Sequence, residues 1–290
     1  MDKKTVYIIA GPTASGKSAR ALELACAHNG VVINADSLQI YQDLPILSAI
    51  PDAQEMGDIP HKLYGFLTPE QTCSAQKWRE LAEIEIRACF AAGQTPIICG
   101  GTGFYIITLT RGLSHIPDVD ADIRARFVAQ AEAEGAPALH AYLATHDPKA
   151  AARLHPNDTQ RLIRACEVYA GTGKPISYWQ DQPRSGAMDG VKFAVETVMP
   201  ARDVLHDRCN KRFALMIQNG ALDEVAALDA RIISGEVAAD AAVMRTLGFK
   251  ELQSYLRGDI TLEQATALAQ AQTRQYAKRQ TTFLRNQPLC

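Results

Sequence analysis

Short apolar runs recur along the first third of the chain. Residues 5–10, 31–33 and 95–99 are apolar, rich in valine or isoleucine, and each is only as long as a strand. These runs lack an alternation of polar and apolar positions, which is typical of strands buried on both faces of a sheet. The pattern therefore predicts three buried parallel strands.

Helical patterns separate these strands. Residues 17–28 are predicted to form a helix with Leu22, Ala25 and Cys26 on its apolar side and Gly30 at its end. Strands that alternate with helices in this way indicate an α/β fold, in which helices cover a parallel sheet. A second helix is predicted to follow the capping residue Ser74, to run to about residue 92 and to stop at Gly93.

The pattern changes near Pro117. Residues 118–182 contain only helical patterns, and a strand signal returns at residues 191–199. We therefore expect one α/β core made of residues 1–116 and 188–290, with residues 117–187 inserted as an all-helical subdomain.

Helical patterns also predict the helices of the insertion and of the C-terminal part. These are residues 122–134, 137–144, 158–170, 201–219 before Gly220, 222–232, and a long helix from Thr261, where Thr-Leu-Glu-Gln fits a capping box.

The first strand leads into Gly-Pro-Thr-Ala-Ser-Gly-Lys-Ser, residues 11–18. This is the spacing of a phosphate-binding loop, whose N–H groups surround a phosphate while the lysine contacts it and the last hydroxyl coordinates Mg²⁺. The strand before it and the helix after it favour a functional loop over a chance glycine turn. Most such loops hold a nucleoside triphosphate. The candidate binding residues are Gly11, Thr13, Ala14, Ser15, Gly16, Lys17 and Ser18, with Ser18 also for the metal.

Polar residues also follow the other two strands. Asp36 comes after the second strand, where a carboxylate can be a metal ligand, a general base or a plain helix cap. Thr102, in the Gly-Gly-Thr-Gly sequence after the third strand, can hydrogen-bond a flat substrate or cap a helix. A nucleotide hydrolase usually carries a second acid at such a strand end, and none is found there. The N-K-x-D and D-x-x-G motifs of GTPases are also missing from the sequence.

Composition narrows the class of protein. The chain has 290 residues and a net charge of −2, so a nucleic acid has to be met by a local basic patch. Seven cysteines, an odd number without a C-x-x-C pair, indicate reduced thiols rather than a disulfide framework or a zinc ribbon. The N-terminal apolar run is too short for a signal peptide, and no later run is long enough to span a bilayer. We expect a soluble cytoplasmic protein.

Two basic clusters are candidates for the patch. One is residues 160–164 (QRLIR), on a predicted helix, and the other is residues 274–285 (RQYAKRQTTFLR), with four cations and no acid. A cationic stripe with Gln, Tyr and Thr between its charges suits an RNA backbone, whereas a single cluster is usually a solvated face. The presence of more than one cluster favours RNA. The predicted stripe consists of Arg274, Lys278 and Arg285, and Arg245 and Lys250 add to the basic character.

Together these segments resemble the tRNA dimethylallyltransferase (tRNA isopentenyltransferase) family in its bacterial short form. The matching stretches occur in order along almost the whole chain: GPTASGKS, NADSLQIYQDLPI, IPHKLYGF, PIICGGTGFYI, HDPKAAARLHPNDTQRLIRACEVYAGTGKP, RTLGFKE and RQYAKRQTTFLR. The resemblance implies that the loop binds the diphosphate of dimethylallyl diphosphate instead of ATP. It also implies Mg²⁺-dependent transfer of the dimethylallyl group to N6 of adenosine 37, in tRNAs that read codons beginning with U.

By the same resemblance, three residues are expected to be catalytic. Asp36 takes the proton of the amine, Thr102 contacts the adenosine, and Arg124 lies near the diphosphate or the tRNA. The adenine must leave its stack to reach such a site. The family also implies a monomer that binds the anticodon stem-loop. The residues expected to contact tRNA are Asp36, Ser37, Leu38, Gln39, Thr102, Arg124, Gln160, Arg161, Leu162, Ile163, Arg164, Arg245, Lys250, Arg274, Lys278, Arg279 and Arg285.

The chain departs from the family pattern at several positions. Ile50 replaces a usual lysine, and residues 62–65 (KLYG) replace His-Leu-Ile-Asp. Phe104 and Phe283 replace a leucine and a tryptophan. None of these is a residue that the mechanism requires. The Cys₂His₂ extension of eukaryotic relatives is missing, so we expect no structural zinc.

Two other functions fit parts of the sequence. One is a phosphate-loop kinase for a small acceptor, with Asp36 as base and Arg124 or Arg164 in a lid. Its signature is phosphorylation by ATP that tRNA does not affect. The other is a non-catalytic RNA-binding protein with a vestigial loop. Its signature is a function that survives loss of Lys17 and is lost when the charges of the basic stripe are reversed.

Overall fold

The computed structural model describes residues 4–289. Residues 1–3 and Cys290, which entered the expectations about the N-terminal segment and the thiols, lie outside the described residues. The chain divides into two compact units. The first contains the described residues up to Arg111 together with those from Met188 onward, and the second is Gly112–Ala187. The first boundary therefore lies at Gly112 instead of after residue 116, where the sequence pattern placed it.

Strands and helices alternate along the described chain. The strands are β1 (Lys4–Ala10), β2 (Gly30–Asn34), β3 (His61–Lys62), β4 (Thr95–Gly100), β5 (Leu113–Ser114), β6 (Arg184–Ser185) and β7 (Val191–Thr197). The α-helices are α1 (Lys17–Ala27), α2 (Pro45–Ser48), α3 (Ala53–Met56), α4 (Ala75–Ala91), α5 (Gly103–Arg111), α6 (Ala121–Glu134), α7 (Ala136–His146), α8 (Pro148–Ala151), α9 (Thr159–Thr172), α10 (Ile176–Asp181), α11 (Arg202–Gln218), α12 (Ala221–Ile233), α13 (Phe249–Leu256) and α14 (Leu262–Asn286). A 3₁₀ helix covers Ala242–Arg245.

The first unit is built on a parallel sheet with the strand order β3-β2-β4-β1-β7. β1 pairs with both β4 and β7, with Tyr7 opposite Ile97 on one side and Ala194 on the other. Every residue of β2 is buried, as is nearly every residue of β4, which explains why their sequences are apolar throughout. The predicted α/β class, with a parallel sheet flanked by helices, is confirmed. β3 has two residues, too few to produce a sequence pattern.

Trp78 of α4 connects this sheet to two of its helices. The indole is fully buried and stacks on Tyr105 of α5, with 4.6 Å between the ring centroids. Its Nε1 donates to the carbonyl oxygen of Asn34 at 2.8 Å, at the carboxyl end of β2. The contact fixes the end of β2, from which the candidate site residue Asp36 follows.

The predicted helix ends were correct where capping residues marked them. Ser74 caps α4 by accepting from the N–H of Lys77 at 3.1 Å. Thr261 and Gln264 form the expected capping box at the start of α14. The helices predicted at residues 122–134, 137–144, 158–170, 201–219 and 222–232 are confirmed to within a few residues as α6, α7, α9, α11 and α12.

Two expectations about α1 were wrong. The helix ends at Ala27, and Gly30 is instead the first residue of β2. A Cβ at position 30 would lie 2.7 Å from the Cα of Ala25, so close packing of strand against helix requires this glycine. Cys26, expected on the apolar side, is exposed, whereas Ala25 is buried.

The second unit has its own core, formed mainly by α6, α7 and α9 around side chains such as Phe127, Leu139 and Cys166. It is not wholly helical, because β5 and β6 form a short antiparallel pair with Leu113 opposite Ser185. Strands of two residues carry no periodic signal, so the sequence did not predict this pair. No helix within residues 4–289 is long and apolar enough to cross a membrane.

Gly100, the last residue of β4, offers a test of the packing at the strand ends. A Cβ there would lie 2.2 Å from the carbonyl carbon and oxygen of Ala35, both backbone atoms. Gly100→Ala is expected to reduce the free energy of unfolding by about 1–3 kcal/mol, the usual effect of overpacking. Thermal unfolding followed by circular dichroism measures the change. An unchanged melting temperature would contradict the close approach of β2 and β4 at this point.

Candidate active site

Residues 11–18 form a tight loop between β1 and α1. The N–H of Ser15 donates to the oxygen of Pro12 at 3.2 Å, and Ala14 and Gly16 adopt φ angles of 61° and 96°. A side chain at Gly11 would place Cβ 2.6 Å from the Oγ of Ser15. The loop thus turns directly into the start of α1, and a helix N-terminus, where N–H groups lack intrahelical partners, favours anions.

Lys17 begins α1 and is partly buried. Its Nζ donates to the oxygen of Pro12 at 3.3 Å, so the ammonium group lies over the loop. Burial lowers the pKa of Lys17, and the negative charge of Asp36 acts in the opposite direction. Burial raises the pKa of the Cys99 thiol at the end of β4, and Lys17 and Ser18 act in the opposite direction. A cation and a hydroxyl therefore accompany the loop amides.

α11 brings two arginines to the loop that the sequence analysis did not identify. Arg208 Nη1 donates to the oxygen of Ser15 at 3.0 Å, and Arg212 donates to the hydroxyl of Thr13. Burial lowers the pKa of Arg212. A guanidinium removed from water acts more strongly on a bound anion than an exposed one does. The spacing of four residues, which puts both side chains on one helix face, was the only sequence signal for them.

Asn34 holds Asp36 at the carboxyl end of β2. Asn34 Oδ1 accepts from the N–H of Asp36 at 2.8 Å, and Asn34 Nδ2 donates to the oxygen of Asp36 at 3.0 Å. The Asp36 carboxylate accepts from the N–H of Leu38 at 3.1 Å and is only 8% exposed. No helix of the described chain follows Asp36 before α2, so Asp36 is not a helix cap. Its carboxylate is fixed close enough to act electrostatically on Lys17 and Arg212.

Thr102 joins two parts of the first unit. Its Oγ1 accepts from the N–H of Ser37 at 3.0 Å and donates to the Oγ of Ser37 at 3.3 Å. Burial and the charge of Asp36 raise the pKa of Tyr276 on α14, and the Thr102 side chain acts on this pKa in the opposite direction. The Thr102 hydroxyl therefore belongs to a polar network beside Asp36 and connects the ends of β2 and β4.

One cavity of the first unit brings several of these groups together. Its polar lining comes from the loop, from the end of β2 and from α11 and α14, and its apolar lining comes largely from α2 and α11. Cationic, acidic and apolar side chains thus border one space. The lining includes Thr13, Asp36, Arg212 and Tyr276 on the polar side and Leu47, Phe213 and Met216 on the apolar side.

The predicted basic stripe of α14 is only partly exposed. Lys278, Arg279 and Arg285 are exposed, as are Arg245 and Lys250 elsewhere in the first unit. Arg274 is instead partly buried, and its Nη1 donates to the Oδ1 of Asn210 on α11 at 2.7 Å. Arg274 is thus less exposed than the other cations of the predicted stripe, and its part in tRNA binding stays a prediction.

Three other residues expected to contact tRNA lie in the turn after β2, namely Ser37, Leu38 and Gln39. Ser37 and Leu38 are partly buried. The amide of Gln39 donates to the carbonyl oxygen of Ser48 at 3.1 Å. Its amide N–H groups therefore hold the segment around α2 in place.

In the second unit, Glu167 binds two of the predicted tRNA-contacting arginines. This carboxylate is buried, and it accepts from Arg124 at 3.0 Å and from Arg164 at 2.6 Å. Leu162 and Ile163 are also buried, so their side chains pack in the core of this unit. Within residues 160–164, the side chains left to contact a nucleic acid are those of Gln160, Arg161 and Arg164. Gln160 is exposed, and Arg161 is paired with Asp158.

Comparison with known proteins identifies the family. The profile described as IPP transferase matches residues 39–287, and the profile described as isopentenyl transferase matches residues 4–64. The chain belongs to the IPP transferase family. The resemblance expected from the sequence motifs is thereby confirmed.

Individual relatives of this IPP transferase family member agree with that assignment. The tRNA dimethylallyltransferase of Rhodospirillum centenum is 47% identical over 98% of this chain and 89% of its own length. The crystal structure of a tRNA isopentenylpyrophosphate transferase from Bacillus halodurans is 35% identical, with a TM-score of 0.69 over 99% of this chain and 88% of that one. A eukaryotic dimethylallyltransferase, in crystallographic snapshots described as acting on tRNA, is 29% identical, with a TM-score of 0.81 over 97% of this chain and 70% of that one.

The donor groups beside the loop of this family member fit a hard cation such as Mg²⁺. The Ser18 hydroxyl and the Asp36 carboxylate are both oxygen donors, the kind that Mg²⁺ prefers. No three His, Cys, Asp or Glu side chains within residues 4–289 are grouped as metal ligands. Mg²⁺ in enzymes commonly takes one or two protein oxygens and completes its shell with phosphate oxygens and water. This loop therefore suits a metal that arrives with its phosphate ligand.

Proposed function

We propose that this chain is a tRNA dimethylallyltransferase. It transfers the dimethylallyl group of dimethylallyl diphosphate to N6 of adenosine 37, in tRNAs that read codons beginning with U, and releases pyrophosphate. The observation that carries the proposal is the position of the buried Asp36 carboxylate beside Lys17 and Arg212 in a cavity with an apolar wall. In this proposal the chain acts in the cytoplasm, and it acts as a monomer, as the family resemblance implies.

The donor binds at residues 11–18, the donor loop. Loop N–H groups, Lys17 and Arg212 surround the diphosphate, and the apolar wall receives the five-carbon tail. As the C–O bond to the diphosphate breaks, negative charge grows on the leaving group, and these cations and N–H groups stabilise it. Ser18 would hold a Mg²⁺ ion, whose charge would further neutralise the leaving diphosphate.

The acceptor adenine binds beside Asp36 and residues 100–103, the acceptor loop. Thr102 hydrogen-bonds the base and orients its amine. The N6 nitrogen forms a bond with the allylic carbon as pyrophosphate departs, and the nitrogen then becomes acidic. Asp36 accepts the proton that the amine loses. Arg124 and Arg164 of the second unit contact tRNA phosphates.

The exposed cations of α14 bind the tRNA backbone in this proposal. Lys278→Gln with Arg279→Gln is expected to weaken tRNA binding and to lower the slope of log Kd against log salt by about 1–2, since each lost phosphate contact removes about one unit. Filter binding over a salt series measures this slope. The matched control is Lys192→Gln with Arg87→Gln, which removes two exposed charges outside this surface. An unchanged slope in the first variant would count against RNA contact by this face.

Donor specificity tests the proposed reaction. The purified chain is incubated with Mg²⁺ and an unmodified tRNA, once with labelled dimethylallyl diphosphate and once with labelled ATP. The proposal predicts label in tRNA with the first donor only, together with pyrophosphate. Phosphorylation of a small acceptor by ATP, without any influence of tRNA, would contradict the proposal and indicate a kinase instead.

A further inference from the structure

Gln280 of α14 is a buried amide that the reaction described above does not use. Its side chain lies between the donor loop and the acceptor loop. Oε1 accepts from the N–H of Thr13 at 2.8 Å, and Nε2 donates to the oxygen of Gly101 at 3.0 Å. The residue is only 6% exposed, although its neighbours Lys278 and Arg279 are on the surface.

The two ends of the amide make these two bonds at once. The N–H of Thr13 requires an acceptor and the carbonyl of Gly101 requires a donor, so the orientation of the amide is fixed. The acceptor loop is shaped around it, because a Cβ on Gly101 would lie 2.3 Å from Nε2 of Gln280. Beyond Gln280, Arg212 donates to the hydroxyl of Thr13 in the donor loop, and Thr102 of the acceptor loop bonds Ser37.

We propose that Gln280 is a positioning residue that sets the distance between the two reacting groups. The inference rests on the proposed function. The donor loop holds the diphosphate and the acceptor loop holds the adenine, and Gln280 is bonded to the main chain of both. When reacting atoms move apart by about 1 Å, rates fall by about 10²-fold. Loss of the amide therefore affects the bond-forming step more than the binding of either substrate.

A specific side reaction distinguishes this role from a purely structural one. If the amine is displaced, a water oxygen forms the bond to the allylic carbon as the C–O bond to the diphosphate breaks. The water then loses a proton to solvent, and the products are dimethylallyl alcohol and pyrophosphate. Pyrophosphate release then exceeds prenylation of tRNA. Partial unfolding lowers both products together and leaves their ratio unchanged.

The test is Gln280→Met, which keeps the size of the side chain and removes both hydrogen bonds. Pyrophosphate and prenylated tRNA are measured in the same reaction, with saturating tRNA and donor. We expect kcat for prenylation to fall by about 10-fold to 10²-fold, with a smaller change in either KM. The ratio of pyrophosphate to prenylated tRNA rises above that of the unmodified chain.

Two further variants complete the test. Gln280→Glu keeps Oε1 and loses the donor to Gly101, so its ratio also rises, and it carries the test if the methionine variant does not fold. Gln272→Met is the matched control, since this glutamine of the same helix is exposed and bonds Glu251. A ratio equal to that of the unmodified chain in both Gln280 variants overturns the inference, whether or not activity falls. Failure of the unmodified chain to prenylate tRNA overturns the proposed function instead.

Discussion

Replacing Asp36 with asparagine is expected to lower kcat for prenyl transfer by about 10²–10⁴-fold, the range that a positioned general base contributes. Asparagine has nearly the same shape and still offers an oxygen to the N–H of Leu38, which now donates to the carboxylate at 3.1 Å. It cannot take the proton that N6 loses. Single-turnover transfer from labelled donor, with enzyme in excess over tRNA, measures the step directly.

Binding should separate from turnover in this variant. The Asp36→Asn chain is expected to bind tRNA within a few-fold of the unmodified chain, because the base acts mainly in the transition state. Asp189→Asn is the control, as Asp189 is exposed and lies outside the cavity. Near-normal transfer by the Asp36 variant would remove Asp36 from the role of base.

Arg212→Met is expected to reduce kcat/KM for the donor by about 10²–10³-fold, the usual effect of losing one group that stabilises developing negative charge. The reason is its burial beside the donor loop, where its charge is weakly screened and its guanidinium holds the hydroxyl of Thr13. Methionine fills most of the space of the arginine stem, so the packing of α11 is largely kept. Steady-state kinetics with donor as the varied substrate measures the change.

The neighbouring residue supplies the control for that variant. Lys211 is exposed on the same helix and pairs with Asp207 at 2.8 Å. Lys211→Met removes the same charge one position away and should leave kcat/KM for the donor close to normal, because an exposed ion pair contributes little. Equal losses in the two variants would mean that net charge, and not the position of Arg212, determines donor use.

The sheet and the donor loop could be predicted from the sequence because their signals are local. Buried parallel strands produce continuous apolar runs, and Ser74 and Thr261 are capping residues next to the helices they start. Where the structure differs from the prediction, the cause is a packing contact that the sequence pattern does not show. Gly30 looks like the end of a helix, but the close approach of Ala25 to β2 is what requires it.

The remaining site residues could not be predicted because tertiary contacts place them. Gln280 is 267 residues from its partner Thr13, and Arg212 is 199 residues from the same threonine. The sequence pattern also predicted a larger exposed basic surface than the structure has. Arg274 has the spacing of its stripe but is held by Asn210, a contact that helix periodicity does not reveal.

The central claim is prenyl transfer to adenosine 37. The most direct measurement incubates the purified chain with Mg²⁺, labelled dimethylallyl diphosphate and two tRNAs that differ only in A or G at position 37. The account predicts label in the tRNA with A37, recovered as N6-isopentenyladenosine after digestion, and none in the tRNA with G37. Equal label in both tRNAs, or none in either, would contradict it.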